Sequence, residues 1–103
     1  MNLSDKQAMF TTMIGQLIRF ADHLGYGLTF GDAYRDPRCT YGHSNSLHRK
    51  RLAVDFNLFI KGEYQTDTDA YYILGRYWEA LGGSWGGRFQ DGNHFSLEHE
   101  GMR

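Results

Sequence analysis

The 103-residue sequence has a single cysteine and no long apolar run. One thiol, Cys39, cannot form an internal disulfide, so the fold must be held together without one. No apolar stretch approaches the roughly 18 residues that a membrane span requires. A secretory signal begins with a positively charged segment that leads into an apolar run, and the first six residues do not show this pattern. We therefore expect no membrane insertion and no export by a signal of its own.

The sequence also lacks a strong charge of either sign, because its formal net charge is −1. The basic cluster Arg49-Lys50-Arg51 is too short to create the broad positive field that attracts nucleic acid. We therefore expect no nucleic-acid partner. The hydrophobic content of 41% supplies one modest core, which favours a single domain over residues 1–103. A bound metal would add noticeably to the stability of so small a domain.

The apolar periodicity predicts two helices and three strands. The expected order is a helix capped by Ser4 and stopped by Gly25, a strand over 27–34, a loop over 36–47, a strand over 52–60, a turn over 61–64, a helix from Asp67 or Thr68 to the Gly82-Gly83 stop, a Gly-rich loop, and a strand over 94–98. This order predicts an α+β domain with a small antiparallel sheet and helices packed on one face.

Three residues of the kinds that bind zinc stand out: His48 at the end of the loop, Asp55 inside a strand, and His94 at the start of the last strand. Two imidazoles and one carboxylate form the ligand set of a catalytic zinc site, with a fourth position left for water. Taken alone, Asp55 has solvent exposure as an equally good explanation, since strand alternation places it opposite Leu52, Val54, Phe56, Leu58 and Ile60.

A zinc site of this composition requires a bend in the chain. His48 and Asp55 are seven residues apart, which is about 20 Å on a continuous strand. The chain must therefore turn at residues 49–51 for both side chains to reach one ion. The helical His-Glu-x-x-His motif does not occur, so the common zincin arrangement is excluded.

Three other polar residues are candidates for chemistry. Asp91 lies three residues before His94, close enough to act as a general base at a metal site, or else it is an ordinary turn aspartate. Arg35 could place a cation against a developing oxyanion or a substrate carboxylate, or form a surface salt bridge. Ser46 could bond a peptide substrate, although loop serines usually have no such role.

These segments resemble the group of zinc peptidases that comprises D-alanyl-D-alanine carboxypeptidases and L-alanyl-D-glutamate endopeptidases, including phage endolysins. The likeness lies in Ala33-Tyr34-Arg35, Ser46-Leu47-His48, Ala53-Val54-Asp55, Trp85-Gly86-Gly87 and Asp91-Gly92-Asn93-His94-Phe95. It implies a hedgehog/DD-peptidase-like fold and a Zn²⁺ ion. The residue roles that it implies are metal ligation by His48, Asp55 and His94, general base catalysis by Asp91, carbonyl stabilisation by Arg35, and substrate contacts from Ser46 and Trp85. On physical grounds alone, a core position suits Trp85 equally well.

The sequence departs from the family pattern in two places. Many relatives have glycine three residues after the first ligand, where this chain has Arg51, and carboxypeptidase members tend to use glutamate as the base, where this chain has Asp91. The second departure favours the L-alanyl-D-glutamate endopeptidase, endolysin-like branch. The alternatives are a D-alanyl-D-alanine carboxypeptidase, a zinc-stabilised module that binds wall peptide without cutting it, and a structural domain whose histidines are incidental.

The resemblance also implies a partner and a place of action. We expect the substrate to be a peptidoglycan stem peptide, bound by a monomer that has no separate wall-binding module. An endolysin-like protein would be made in the cytoplasm and would act on the cell wall after its release.

Overall fold

The computed structural model describes residues 1–31 and 47–103. These residues form the α-helices α1 (Leu3–His23) and α2 (Tyr72–Ala80), the strands β1 (Tyr26–Phe30), β2 (Ala53–Ile60), β3 (Glu63–Gln65), β4 (Ser84–Trp85) and β5 (His94–Ser96), and the 3₁₀ helices Thr68–Tyr71 and Gly86–Phe89. The strands make one small antiparallel sheet, which confirms the predicted α+β class.

Helix α1 buries a stripe of residues at three- and four-residue spacing, as its sequence predicts: Phe10, Met13, Leu17 and Ala21. Its start differs from the prediction. Asn2 is the N-cap, because its Oδ1 accepts a hydrogen bond from the Asp5 amide at 2.8 Å, and Ser4 lies inside the first turn. The helix ends as expected before Gly25, which takes a left-handed φ of 79°.

Strand β2 is the centre of the sheet. It pairs with β1 along one edge, and with β5 and then β3 along the other. Strand β4 extends the sheet beyond β5. The register pairs Val54 with Phe95 and Asp55 with His94. Since side chains alternate between faces, each of these pairs shares a face, and the two pairs lie on opposite faces.

Both helices pack on the face that carries Phe95. The Phe10 ring of α1 meets the Trp78 ring of α2 edge-on at 5.7 Å between centroids, and Trp78 meets Phe95 in the same way at 6.0 Å. The Trp78 indole also donates to the carbonyl of Ser96 at 2.8 Å, which ties α2 to β5. The face that carries Asp55 and His94 is therefore directed away from the helices.

Two short strands were not predicted. The segment expected to be a turn over 61–64 is a two-residue hairpin, in which Lys61 and Gly62 have left-handed φ values of 53° and 80° and Glu63 already pairs with Ile60. The predicted Gly-rich loop contains β4, whose Trp85 pairs with Phe95. Strands of two or three residues are too short to show an alternating pattern.

Other boundaries shift by a few residues. The second helix begins with a 3₁₀ turn, so α2 itself starts at Tyr72, and β5 ends at Ser96 instead of Glu98. Strand β1 ends at Phe30, and residues 32–34 of the predicted strand lie outside the described residues, as does most of the predicted loop.

Candidate metal site

His48, Asp55 and His94 come together on the helix-free face of the sheet. Each offers one ligand atom, and the three atoms lie within 4.8 Å of one another. Asp55 Oδ1 is 3.5 Å from His48 Nε2 and 3.2 Å from His94 Nδ1. The two imidazole rings meet at a centroid distance of 5.3 Å. The residues singled out from the sequence as a ligand set thus form one cluster.

The β2–β5 register fixes two of the three side chains. Asp55 and His94 are direct partners in the antiparallel ladder, which places their Cβ atoms side by side. The ladder continues one step further, because the Phe56 amide donates to the Asn93 carbonyl at 2.9 Å. On the other edge of β2, the Gly31 amide donates to the Asp55 carbonyl at 2.7 Å. The backbone at Asp55 is therefore fixed on both edges, by its own hydrogen bond with Gly31 on one and by that of the adjacent Phe56 on the other.

A tight turn over residues 47–51 brings His48 to the cluster. The Lys50 amide donates to the Leu47 carbonyl at 3.1 Å, and the Leu52 amide donates to the same carbonyl at 2.9 Å. Arg51 has a left-handed φ of 59°, the conformation in which glycine is least strained. The bend required by the seven-residue spacing is therefore present, and Arg51 is the residue in the strained conformation.

The carboxyl group of Asp55 is nearly buried, with 9% of the residue exposed. Burial by itself raises the pKa of this group, but hydrogen bonds from His48 and His94, together with their charges, outweigh that effect and hold the pKa well below its usual value. Asp55 is therefore an anion at neutral pH. An anionic oxygen beside two imidazole nitrogens is the form in which such a set binds a metal cation.

The geometry of the cluster suits zinc. Ligands at about 2.1 Å from a tetrahedral zinc ion are about 3.4 Å apart, and the two measured separations from Asp55 are close to this value. A soft-metal thiolate set would require cysteines, and the described residues of the cluster supply only nitrogen and oxygen. His48, Asp55 and His94 could therefore hold a zinc ion and leave one position open.

Asp91 lies in a tight turn that leads into His94. Its amide donates to the Gly86 carbonyl at 2.9 Å, and its carbonyl accepts from the His94 amide at 3.1 Å. The residue is exposed, and it borders a cavity on the surface. Asp91 is therefore a turn residue that is connected to His94 through the main chain, and its role as a general base stays a prediction.

Two residues to which the sequence assigned no site role, Gly86 and Thr68, hold this turn against the rest of the fold. A Cβ at Gly86 would lie 2.3 Å from the Asp91 carbonyl oxygen and 2.7 Å from His94 Cβ, so only glycine fits there. The Thr68 hydroxyl accepts a hydrogen bond from the Gly92 amide at 3.2 Å. No local sequence signal identifies either contact, because each depends on segments that meet only in the folded chain.

Trp85 supports the same turn from beneath. Only 4% of the residue is exposed, and its indole nitrogen donates to the Gly92 carbonyl at 2.7 Å. Its ring lies against Gly75 and Gly87, where a Cβ would come within 2.3 Å of ring atoms. The structure thus gives Trp85 a supporting role and leaves little of its surface for a substrate. The predicted substrate contact is untested.

The remaining site residues proposed from the sequence, Arg35 and Ser46, lie outside the described residues, as do Cys39 and His43. Their roles stay predictions. In the described part of the chain, no helix has the length and apolar character needed to cross a membrane.

Comparison with known proteins identifies a family to which part of the chain is similar. A search of curated proteins finds no significant relative. The model of the D-alanyl-D-alanine carboxypeptidase family matches residues 40–97, a segment that contains His48, Asp55, Asp91 and His94 but not Arg35. The match covers more than half of the 103 residues. The chain that assembles this cluster therefore belongs to the D-alanyl-D-alanine carboxypeptidase family of peptidases.

Proposed function

We propose that the protein is a zinc-dependent peptidase that hydrolyses peptidoglycan stem peptides, and that the bond it cuts joins L-alanine to D-glutamate. The observation that carries this proposal is the His48–Asp55–His94 cluster, in which two imidazoles and a buried carboxylate lie within 4.8 Å of one another. The family match supports peptidase chemistry at this cluster. The hedgehog/DD-peptidase-like fold and the endolysin-like branch are part of the same proposal.

The local structure supports the proposed ligand roles. Asp55 supplies the anionic oxygen, and its place in the ladder beside His94 keeps both side chains in register. His48 closes the set from the neighbouring turn. When bound there, zinc would polarise a peptide carbonyl and lower the pKa of water.

The protons are moved by Asp91 in this mechanism. Its exposed carboxylate accepts a proton from the attacking water and later delivers that proton to the leaving amine. A 3.1 Å hydrogen bond closes the turn between Asp91 and His94. This bond holds the main chain of the proposed base against that of a proposed metal ligand. Arg35 would stabilise the oxyanion, and Ser46 would bond the substrate backbone.

We propose the L-alanine to D-glutamate bond as the scissile bond because of the identity of the base. Carboxypeptidase members of the family tend to carry glutamate where this chain has Asp91, which supports the endopeptidase assignment. The second candidate is a D-alanyl-D-alanine carboxypeptidase, and the description of the matching family favours it. A third is a wall-peptide-binding module without catalysis. The fragments released from purified peptidoglycan separate the three, because each predicts different products.

Asp91→Asn tests the proposed division between metal binding and proton transfer. The variant should retain zinc, since Asp91 is not one of the clustered ligand residues, and should lose about 10²- to 10⁴-fold in turnover, the usual contribution of a general base. Zinc content and cleavage of a stem peptide are measured on the same preparation. Asp22→Asn, which removes an exposed carboxylate on α1, is the matched control and should match the wild-type protein.

Two results would contradict these roles. An Asp91→Asn protein with full activity would show that another group moves the protons. A purified wild-type protein that takes up no zinc would remove the metal site and leave a structural domain as the better description.

A further inference from the structure

A second feature of the helix-free face is a polar cavity of about 190 Å³ next to Asp91. It is enclosed by residues 64–66 at the end of β3, by Thr68 and Tyr71 of the 3₁₀ helix, and by residues 90–93 of the turn before β5. Tyr64 pairs with Phe59, and strand alternation puts Phe59 on the same face as Asp55. The cavity and the metal cluster therefore open on the same side of the sheet.

The described lining of the cavity carries negative charge only. Asp91 supplies that charge, and the described lining residues include no lysine, arginine or histidine. A ligand with a free carboxylate would meet the Asp91 carboxylate, and the described lining offers no cationic side chain as a counter-ion. Like charges in close contact are costly, and proteins use them to reject unwanted ligands.

The hydrogen-bonding groups of the lining include both donors and acceptors, and two of the donors are already used within the protein. The Tyr71 hydroxyl donates to the Phe56 carbonyl at 2.9 Å, and the Gln65 side-chain amide donates to the Glu63 carbonyl at 3.0 Å. The oxygens of these two side chains can still accept, as can those of Thr66 and Asp91. The side-chain amides of Gln90 and Asn93 also offer donors, so the lining fits an uncharged ligand group that both donates and accepts hydrogen bonds.

The position of Asp91 indicates which part of the substrate reaches the cavity. In the proposed function, on which this inference rests, Asp91 delivers a proton to the leaving amine. The residue that carries this amine must therefore lie beside Asp91, and its substituents are the groups nearest to the cavity. In the proposed cut this residue is D-glutamate, whose α-carboxyl group is the nearest polar substituent.

We propose that this cavity is a subsite that selects the α-carboxamide form of the residue after the scissile bond over its free α-carboxylate form. A primary carboxamide supplies two donors and carries no charge, whereas a carboxylate only accepts and is an anion. An ammonium group also donates, but its ion pair with Asp91 would lower the basicity that the reaction requires. The carboxamide is therefore the group that fits both the lining and the chemistry.

The experiment uses two synthetic stem peptides that differ at one group. In both, D-glutamate follows L-alanine and continues the chain through its side chain, and its α-carboxyl is either a carboxylate or a primary carboxamide. The zinc-loaded protein should cut the carboxamide peptide with a kcat/KM at least about tenfold higher, as expected for avoiding one close like-charge contact.

A variant with one added cation should change this preference. Thr66→Lys places an ammonium in the exposed part of the lining, and the carboxamide preference should fall to about threefold or less because the carboxylate gains a counter-ion. Thr12→Lys makes the same change of charge on the exposed face of α1, and it should keep the wild-type preference.

Each other outcome overturns a defined part of the reasoning. Equal cleavage of the two peptides, or faster cleavage of the carboxylate form, refutes the subsite and leaves the proposed function standing. A wild-type preference that Thr66→Lys does not alter places the selection elsewhere and also refutes the subsite. If zinc-loaded protein cuts neither peptide, the proposed function fails, and the subsite fails with it.

Discussion

Replacement of Gly86 by alanine should disturb the metal site without touching a metal-binding atom. A Cβ at this position would lie 2.3 Å from the Asp91 carbonyl oxygen and 2.7 Å from the Cβ of His94. Both neighbours belong to the main chain or are fixed to it, so neither can rotate away. The turn that carries Asp91 and His94 would have to move.

The size of this effect follows from the contact distances. Non-bonded carbon and oxygen atoms approach to about 3.4 Å, so the turn must shift by about 1 Å to admit the methyl group. Overpacking of this kind costs about 1–3 kcal/mol of folding stability. A shift of about 1 Å at His94 also misplaces one of three ligands, and we expect zinc affinity to fall about 10- to 100-fold, the range seen when the support of a ligand is lost.

Two measurements check this prediction: unfolding in urea without metal, and competition for zinc with a chelator of known affinity. Gly15→Ala is the control, because a Cβ at Gly15 meets nothing within 4 Å. Alanine in the middle of α1 should stabilise the protein by about 1 kcal/mol and leave zinc affinity unchanged. A Gly86→Ala protein with wild-type stability and wild-type zinc affinity would refute the proposed packing of the turn.

Three further predictions follow from contacts around the site and the surface. Arg51→Gly should stabilise the protein by about 0.5–1 kcal/mol in urea unfolding, because glycine relieves the left-handed φ of 59°; a loss of stability would contradict this. Trp85→Phe should cost at least about 1–3 kcal/mol in the same assay, because it leaves the buried Gly92 carbonyl without its donor, and an unchanged midpoint would argue against that hydrogen bond. The hydrogen bond from Arg88 lowers the pKa of Glu79 below 4.5, so the stability it provides is complete above that pH and is lost as the pH falls through the lowered value. Glu79→Gln should therefore be less stable than wild type at about pH 7 and equal to it at about pH 2, and a difference that persists in acid would contradict the pairing.

Sequence patterns predict the larger elements of this fold because those elements are long and periodic. The buried stripe of α1 repeats over about three turns, and β2 alternates over eight residues, so each leaves a clear signal. Strand β4 has only two residues, and it is a strand because it pairs with β5. The N-cap is Asn2 instead of Ser4. Both residue types are good N-caps, and the sequence alone does not decide at which of them the helix begins.

The candidate site divides in the same way. His48, Asp55 and His94 are identifiable because their side chains carry the chemistry and their spacing resembles a known pattern. Gly86 and Thr68 act through contacts between segments that are distant in sequence, and such contacts cannot be recognised from residue type. Trp85 belongs to a segment that carries the resemblance; its ring is buried and its indole donates to the Gly92 carbonyl, and its contact with a substrate stays a prediction.

The most direct test of the central proposal is mass spectrometry of the fragments released from purified peptidoglycan by the zinc-loaded protein. The account predicts stem-peptide fragments that begin with D-glutamate, and their complete loss when Asp55→Ala removes the carboxylate of the metal cluster. Release of D-alanine alone would identify a carboxypeptidase. Identical fragments from the wild-type and Asp55→Ala proteins, or no fragments from either, would contradict the proposal of a zinc peptidase at His48, Asp55 and His94.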